Sequence, residues 1–204
     1  MMLQGPSSAG KTTLSKALQV SLDEYWWALG ADDITHMQPA WQDSGWWEPP
    51  PGEKSHPSWD PEIRLQRWLD GYWQCLATIA KTGSNVIAAG GWLQTEWLFQ
   101  LAHAVEGIDA YCVGVYCPLE EVERREVSRG DRGIGYARSQ YDVVHLHAPY
   151  DVAVDTSAQT TEESISAIEA MLKSPPEISF FERIRGSNEY AAWLGQHSQF
   201  SHTQ

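Results

Sequence analysis

Residues 5–12 read Gly-Pro-Ser-Ser-Ala-Gly-Lys-Thr and match G-x-x-x-x-G-K-[ST] at every fixed position. A loop of this kind binds phosphate. Gly5 and Gly10 let the chain turn tightly, so that backbone amides from Ser7, Ser8, Ala9, Gly10, Lys11, Thr12 and Thr13 can face anionic oxygens, and the helix that follows adds its positive N-terminal end. Lys11 would reach the β- and γ-phosphates of a nucleotide, and the Thr12 hydroxyl would hold Mg²⁺. The flanks agree with this. Residues 1–4 can form a short strand, and Leu14, Ala17, Leu18 and Leu22 recur at helical spacing.

Phosphoryl transfer needs more than a cradle: cations on the equatorial oxygens and a carboxylate to take the acceptor's proton. Asp32 is the candidate carboxylate, because it follows a second apolar run at 25–30 and would face Thr12 across the sheet edge, as general base or as a magnesium ligand through water. Asp33 competes with it. An Asx turn or a helix N-cap is the alternative for either. Arg129 and Arg132 flank Gly130 and suit a mobile clamp on a triphosphate; the alternative is a solvated helix face pairing with Glu123 and Glu126. Trp46, Trp47, Trp92 and Trp97 are candidates for an acceptor pocket that holds a ring by stacking, whereas Trp68 and Trp73, at helical spacing, belong to the core. His36, His145 and His147 have no acidic or cysteine partner at ligand spacing and form no metal set.

These residues need a scaffold. Apolar runs at 25–30, 85–89, 110–117 and 152–154 alternate with helical patterns at 61–81, 93–104, 119–128, 136–145 and 161–172, which predicts a parallel sheet flanked by helices. The run at 25–30 reads as buried. Residues 37–61 interleave six prolines with Trp41, Trp46, Trp47 and Trp59 and read as a lid or substrate-side excursion. Pro175-Pro176 ends the last core helix, so the expected organisation is one domain over 1–175 and a C-terminal extension over 176–204, with one helix near 189–194 and a fraying end.

The 204 residues are 42% hydrophobic, enough for one well-buried core. A formal net charge of −13 argues against nucleic acid or an anionic membrane as partner, while a local pocket of amides and cations can still take one nucleotide. Three cysteines without C-x-x-C spacing suggest neither a disulfide framework nor a zinc site. With no basic leader and no apolar run of about 18 residues, a cytoplasmic protein is expected. A homo-oligomer is left open.

Several segments together resemble the chloramphenicol phosphotransferase family, in the same order and at near-matching spacings over about residues 1–173. They are the phosphate loop, Gly30-Ala31-Asp32, the strand from Val113 through Cys117, Arg129-Gly130-Asp131-Arg132 with Gly135 and Gln140, Val144-His145, and the run from Tyr150 to Thr156. The resemblance implies a P-loop NTPase fold similar to shikimate and nucleotide kinases, and transfer of a phosphoryl group from ATP, with Mg²⁺, to a hydroxyl of an antibiotic. It also implies that Asp32 activates the acceptor and that Arg129 and Arg132 contact the nucleotide phosphates. One departure stands out. Where the family pattern has two aspartates at the end of the third strand, this chain reads Ala89-Gly90. The exchange removes two charges facing the acceptor and favours a flatter substrate. It also keeps a catalytically weak nucleotide-binding protein in play, beside a nucleoside, nucleotide or sugar kinase and a P-loop hydrolase.

Overall fold

The structure is a computed structural model and describes residues 1–37, 57–90, 92–130 and 133–197. Most of the Trp- and Pro-rich excursion, with Trp46 and Trp47, lies outside these residues, as does Arg132. Five strands, β1 (Met2–Gln4), β2 (Trp26–Gly30), β3 (Asn85–Gly90), β4 (Cys112–Tyr116) and β5 (Val152–Asp155), form one parallel sheet in the order β2-β3-β1-β4-β5. The chain therefore leaves β1 towards one edge and, after β3, crosses back over β1 to build the other. A switch of this kind puts the crevice for a ligand beyond the C-terminal end of the central strand, where residues 5–12 stand.

Successive side chains along a strand point to opposite faces, and here they feed two separate cores. Met2, Val86, Ala88 and Cys112 pack on one face; Leu3, Ile87, Val113 and Val115 pack on the other. The first face is covered by α3 (Pro61–Lys81) through Leu69, Tyr72, Trp73 and Leu76, and by α4 (Thr95–Ala104) through Leu98 and Leu101. The second is covered by α1 (Lys11–Ser21) through Leu14 and Leu18, and by Val122, Ala137 and Ile168 of α5 (Leu119–Arg129), α6 (Tyr136–Tyr141) and α7 (Thr161–Lys173). Between β2 and α3 come α2 (Ala31–Thr35) and a single 3₁₀ turn, Pro57–Trp59. No helix among the described residues is long and apolar enough to cross a membrane.

Local chemistry sets the boundaries. The Asp60 carboxylate accepts the amides of Glu62 and Ile63 at 2.9 and 3.1 Å ahead of Pro61, and this starts α3 where the periodicity predicts it. The second apolar run differs from expectation. β2 is an edge strand, with Trp27 48% exposed, because only β3 pairs with it. The helix expected over 136–145 stops at Tyr141. The amides of Val143 and Val144 both turn back to the Gln140 carbonyl, which tightens the chain into turns.

Residues set apart in the sequence as an extension carry two helices, α8 (Phe180–Arg185) and α9 (Asn188–Gln196). Phe180, Phe181, Tyr190 and Trp193 belong to the same core as α3 and α4. The Asp151 carboxylate ties this segment to the sheet, accepting the amides of Cys112 and Phe180, each at 2.6 Å.

Candidate functional site

The turn after β1 is forced by close approach. A Cβ on Gly5 would lie 2.3 Å from the Val115 carbonyl oxygen of β4, and Gly10 has φ of 90°, which disfavours any side chain. Ser8 adopts φ of 62°, an uncommon left-handed conformation for a non-glycine residue. Its hydroxyl is buried and has no hydrogen-bond partner among the described residues. Gly10, the residue before α1, has no side chain with which to cap that helix. An orphaned hydroxyl at the N-terminal end of a helix is what an anion would satisfy, so these residues fit the phosphates of a nucleotide.

Other elements hold the loop. Lys11 Nζ folds back on the Gly5 and Pro6 carbonyls at 2.8 and 2.7 Å. The Thr156 hydroxyl, just past β5, donates to the Ala9 carbonyl at 2.8 Å and accepts Arg125 Nη1 at 3.0 Å, while Arg125 Nη2 bonds the Thr156 carbonyl. The Ser7 amide donates to Gln140 Oε1 at 2.7 Å. Arg124 and Arg125 both bond Glu121, and those hydrogen bonds pull its carboxyl down to about 2.

A cavity of about 790 Å³ opens beside this loop, within the range of small-molecule sites. One set of lining residues comes from the loop, α5, α6 and the turn after β5, and includes Ser7, Ser8, Lys11, Thr12, Arg129 and Gln140. The other set comes from α2, α3, the end of β3 and the start of α4: Asp32, Leu65, Trp68, Gly90, Gln94 and Trp97. Asp32 is the one carboxylate among the described residues that line the cavity. It sits in the first turn of α2, and Asp33 accepts the Gly30 amide at 2.6 Å to start that helix. Tyr72, buried on α3, donates to the Leu29 carbonyl at 2.9 Å and steadies the end of β2 just before it.

The sequence-based site thus divides. Lys11, Thr12, Thr13, Gly5, Ser7, Ser8, Gly10, Asp32 and Arg129 line one cavity; Ala9 is buried beneath the loop, its carbonyl held by Thr156. Asp33 bonds the Gly30 amide as the third residue of α2, the acidic member of a capping box and not the N-cap itself, and the cavity lining does not include it. Trp92 is a correction. It is 1% exposed and stacks on Phe180 with centroids 5.6 Å apart, because buried Gln4 brackets its backbone, accepting its amide at 3.2 Å and donating to its carbonyl at 3.1 Å. Trp68, assigned to the core with Trp73, packs partly against that core and also lines the cavity. Glu123 bonds Arg138, and buried Glu126 accepts the amides of Gly135 and Ala137, each at 2.7 Å.

His145 lies off the cavity lining, stacked on Tyr116 and bonded to the Tyr150 hydroxyl. Burial, then the charge of Lys11, push it down to about 4. No group of three or more His, Cys, Asp or Glu among the described residues could by itself hold a metal ion. The sequence reading missed the roles of Gln4, Arg125, Gln140 and Thr156. The one signal for Gln4 was a polar residue in an otherwise apolar strand, and Gln140 and Thr156 stood in the quoted motifs without a role.

Solved structures with the same architecture include kinases of small molecules. A sugar kinase from Janibacter superposes with a TM-score of 0.61 at 16% identity, covering 87% of this chain and 96% of its own. A tunicamycin resistance protein from Deinococcus radiodurans gives 0.59 at 17% (86% and 98% covered), and a shikimate kinase from Acinetobacter baumannii in complex with shikimate gives 0.56 at 15% (86% and 93%). At such identities the likeness establishes the P-loop kinase fold. In sequence, a protein of Mycobacterium tuberculosis named "Putative O-phosphotransferase" is 29% identical over 205 residues, covering 91% of this chain and 87% of that protein. The family model described as "Chloramphenicol phosphotransferase-like protein" matches residues 1–173. With loop, strand order and family pattern in agreement over most of its length, the chain belongs to the chloramphenicol phosphotransferase-like family.

Proposed function

We propose that this protein transfers the γ-phosphoryl group of ATP to a hydroxyl of a small molecule, with an antibiotic or similar secondary metabolite as the acceptor class. The observation that carries this reading is that Asp32 shares one cavity with Lys11, Thr12 and Arg129 and is the only carboxylate among its described lining residues. In the reaction the acceptor oxygen bonds to the γ-phosphorus, the bond to the β,γ-bridging oxygen breaks, Asp32 takes the hydroxyl proton and ADP leaves. Lys11 and Arg129 offset the charge on the phosphoryl oxygens. Thr12, with Asp32 through water, would hold Mg²⁺, which neutralises phosphate charge when bound.

The acceptor wall supports a flat, ring-bearing substrate. Ala89 and Gly90 line it where the family has acidic residues, and a Cβ on Gly90 would lie 3.3 Å from the terminal methyl of Met2. Leu65, Trp68 and Trp97 supply apolar and aromatic surface.

Incubation with ATP and Mg²⁺ against a panel of hydroxyl-bearing antibiotics, nucleosides and sugars, read by mass spectrometry, tests this. The reading predicts an antibiotic that gains one phosphoryl group. A phosphorylated nucleoside or sugar instead would make the chain a metabolite kinase. ATP binding without product for any acceptor would favour a nucleotide-binding protein weakened by Ala89-Gly90, and acceptor-independent hydrolysis would favour a hydrolase.

A further inference from the structure

We propose that Gln140 is a phosphate-contacting residue of this site, a role that rests on the triphosphate lying in the cavity beside residues 5–12. Gln140 sits on α6, is 8% exposed, and lines that cavity. Its carboxamide has two different ends, and one is committed. The Ser7 amide can only donate, so the atom 2.7 Å from it must be the oxygen; the reverse assignment would set an NH₂ group against an N–H. The oxygen therefore faces the loop. What remains is Nε2, which makes no hydrogen bond with any described residue and belongs to a side chain on the cavity wall.

The mounting is rigid. Glu126 of α5 accepts the amides of Gly135 and Ala137 and pins the start of α6, while the amides of Val143 and Val144 both close on the Gln140 carbonyl. A buried side chain held at its backbone and at its oxygen has little freedom to turn its nitrogen away. An N–H₂ group so held is a neutral donor preset for a phosphate oxygen, in a wall that already carries Lys11 and Arg129. The same residue joins two parts of the site: its oxygen bonds the amide of Ser7 in the loop, and its helix is anchored on α5, which ends in Arg129.

Two substitutions separate contact from support. Gln140→Glu keeps an oxygen for the Ser7 amide and replaces the donor by an oxygen; Gln140→Met removes both polar atoms at similar size. Titration calorimetry with MgATP, beside thermal melts of each variant and at two salt concentrations, reads the result. The expected outcome is a Gln140→Glu protein that melts near the wild type and binds MgATP at least roughly tenfold more weakly at both salt levels. Gln140→Met should also lose affinity, by a smaller factor. Wild-type affinity in Gln140→Glu, or a loss that disappears at high salt, would overturn the contact and leave only loop support. Should Gln140→Glu fail to fold, undiminished affinity in a stably folded Gln140→Met would overturn it equally. If the wild type itself binds no MgATP, the reading of the whole site falls and this inference with it, an outcome distinct from a defect confined to the variants.

Discussion

Asp32 and Asp33 are adjacent in sequence and do different work. Asp33 is consumed by the Gly30 amide, which leaves Asp32 as the carboxylate on the cavity. Asp32→Asn keeps size and hydrogen-bonding capacity but removes the proposed proton acceptor, so the chemical step should fall by about 10²-fold or more while MgATP affinity stays within a few-fold. Single-turnover kinetics on the acceptor found by the panel would show it, and an unchanged rate would remove Asp32 from the role of base. His145 gives a pH signature. It stays neutral in the fold down to about pH 4, whereas an unfolded histidine binds a proton from about pH 6.5 downwards. Below about 6.5 the unfolded chain therefore holds more protons at this position, and stability is lost as pH falls from 6.5 to 4. His145→Phe keeps a ring against Tyr116 and should flatten that part of a melting-temperature profile; an identical slope would contradict the assignment. At this scale the motif residues were legible because their chemistry depends on local spacing. Trp92 was not, because its burial comes from Gln4, far away in sequence, and the pairing of Gln140 with Ser7 likewise spans the chain.

Elements were legible where both ends carried a signal. The periodic run of α3 has Asp60-Pro61 before it and Thr82-Gly83 after it, and its bounds follow from the sequence. α8 was missed although Ser179 and Glu182 form a capping box, since six residues show too little periodicity for a helix to be read. The edge position of β2 could not be read at all, because strand order is set by crossovers and not by the strand's own composition. α8 also depends on one distant carboxylate. Asp151→Ala would leave the Cys112 and Phe180 amides without their acceptor, at a cost of about 1–3 kcal/mol for each buried donor. Chemical denaturation should show a loss of roughly 2–4 kcal/mol with little change in MgATP affinity, since Asp151 does not line the cavity. A loss confined to nucleotide binding would contradict this view of the residue.

For the whole molecule, the segment beyond residue 175 is part of what keeps the sheet covered. Phe180, Phe181, Ile184, Tyr190 and Trp193 are all buried, and at about 1.5–3 kcal/mol each their burial rivals the entire stability of a typical domain, about 5–15 kcal/mol. A chain ending at residue 175 should be unfolded or aggregated by circular dichroism and size-exclusion chromatography; a soluble, cooperatively melting product would show the two helices to be dispensable. The family pattern at 1–173 ends before them, so no motif announced their place in the core. Two cores on one parallel sheet hold the C-terminal ends of the strands in register. That register brings the turn after β1, the first turn of α2 and the end of α5 to one cavity.

Every proposed role in the cavity depends on residues 5–12 gripping a triphosphate. Calorimetric titration of MgATP into the wild type and into Lys11→Ala tests it most directly. One site should appear in the wild type, weakened at least roughly tenfold when the lysine cation is removed. No binding to the wild type, or equal affinity in both proteins, would contradict it.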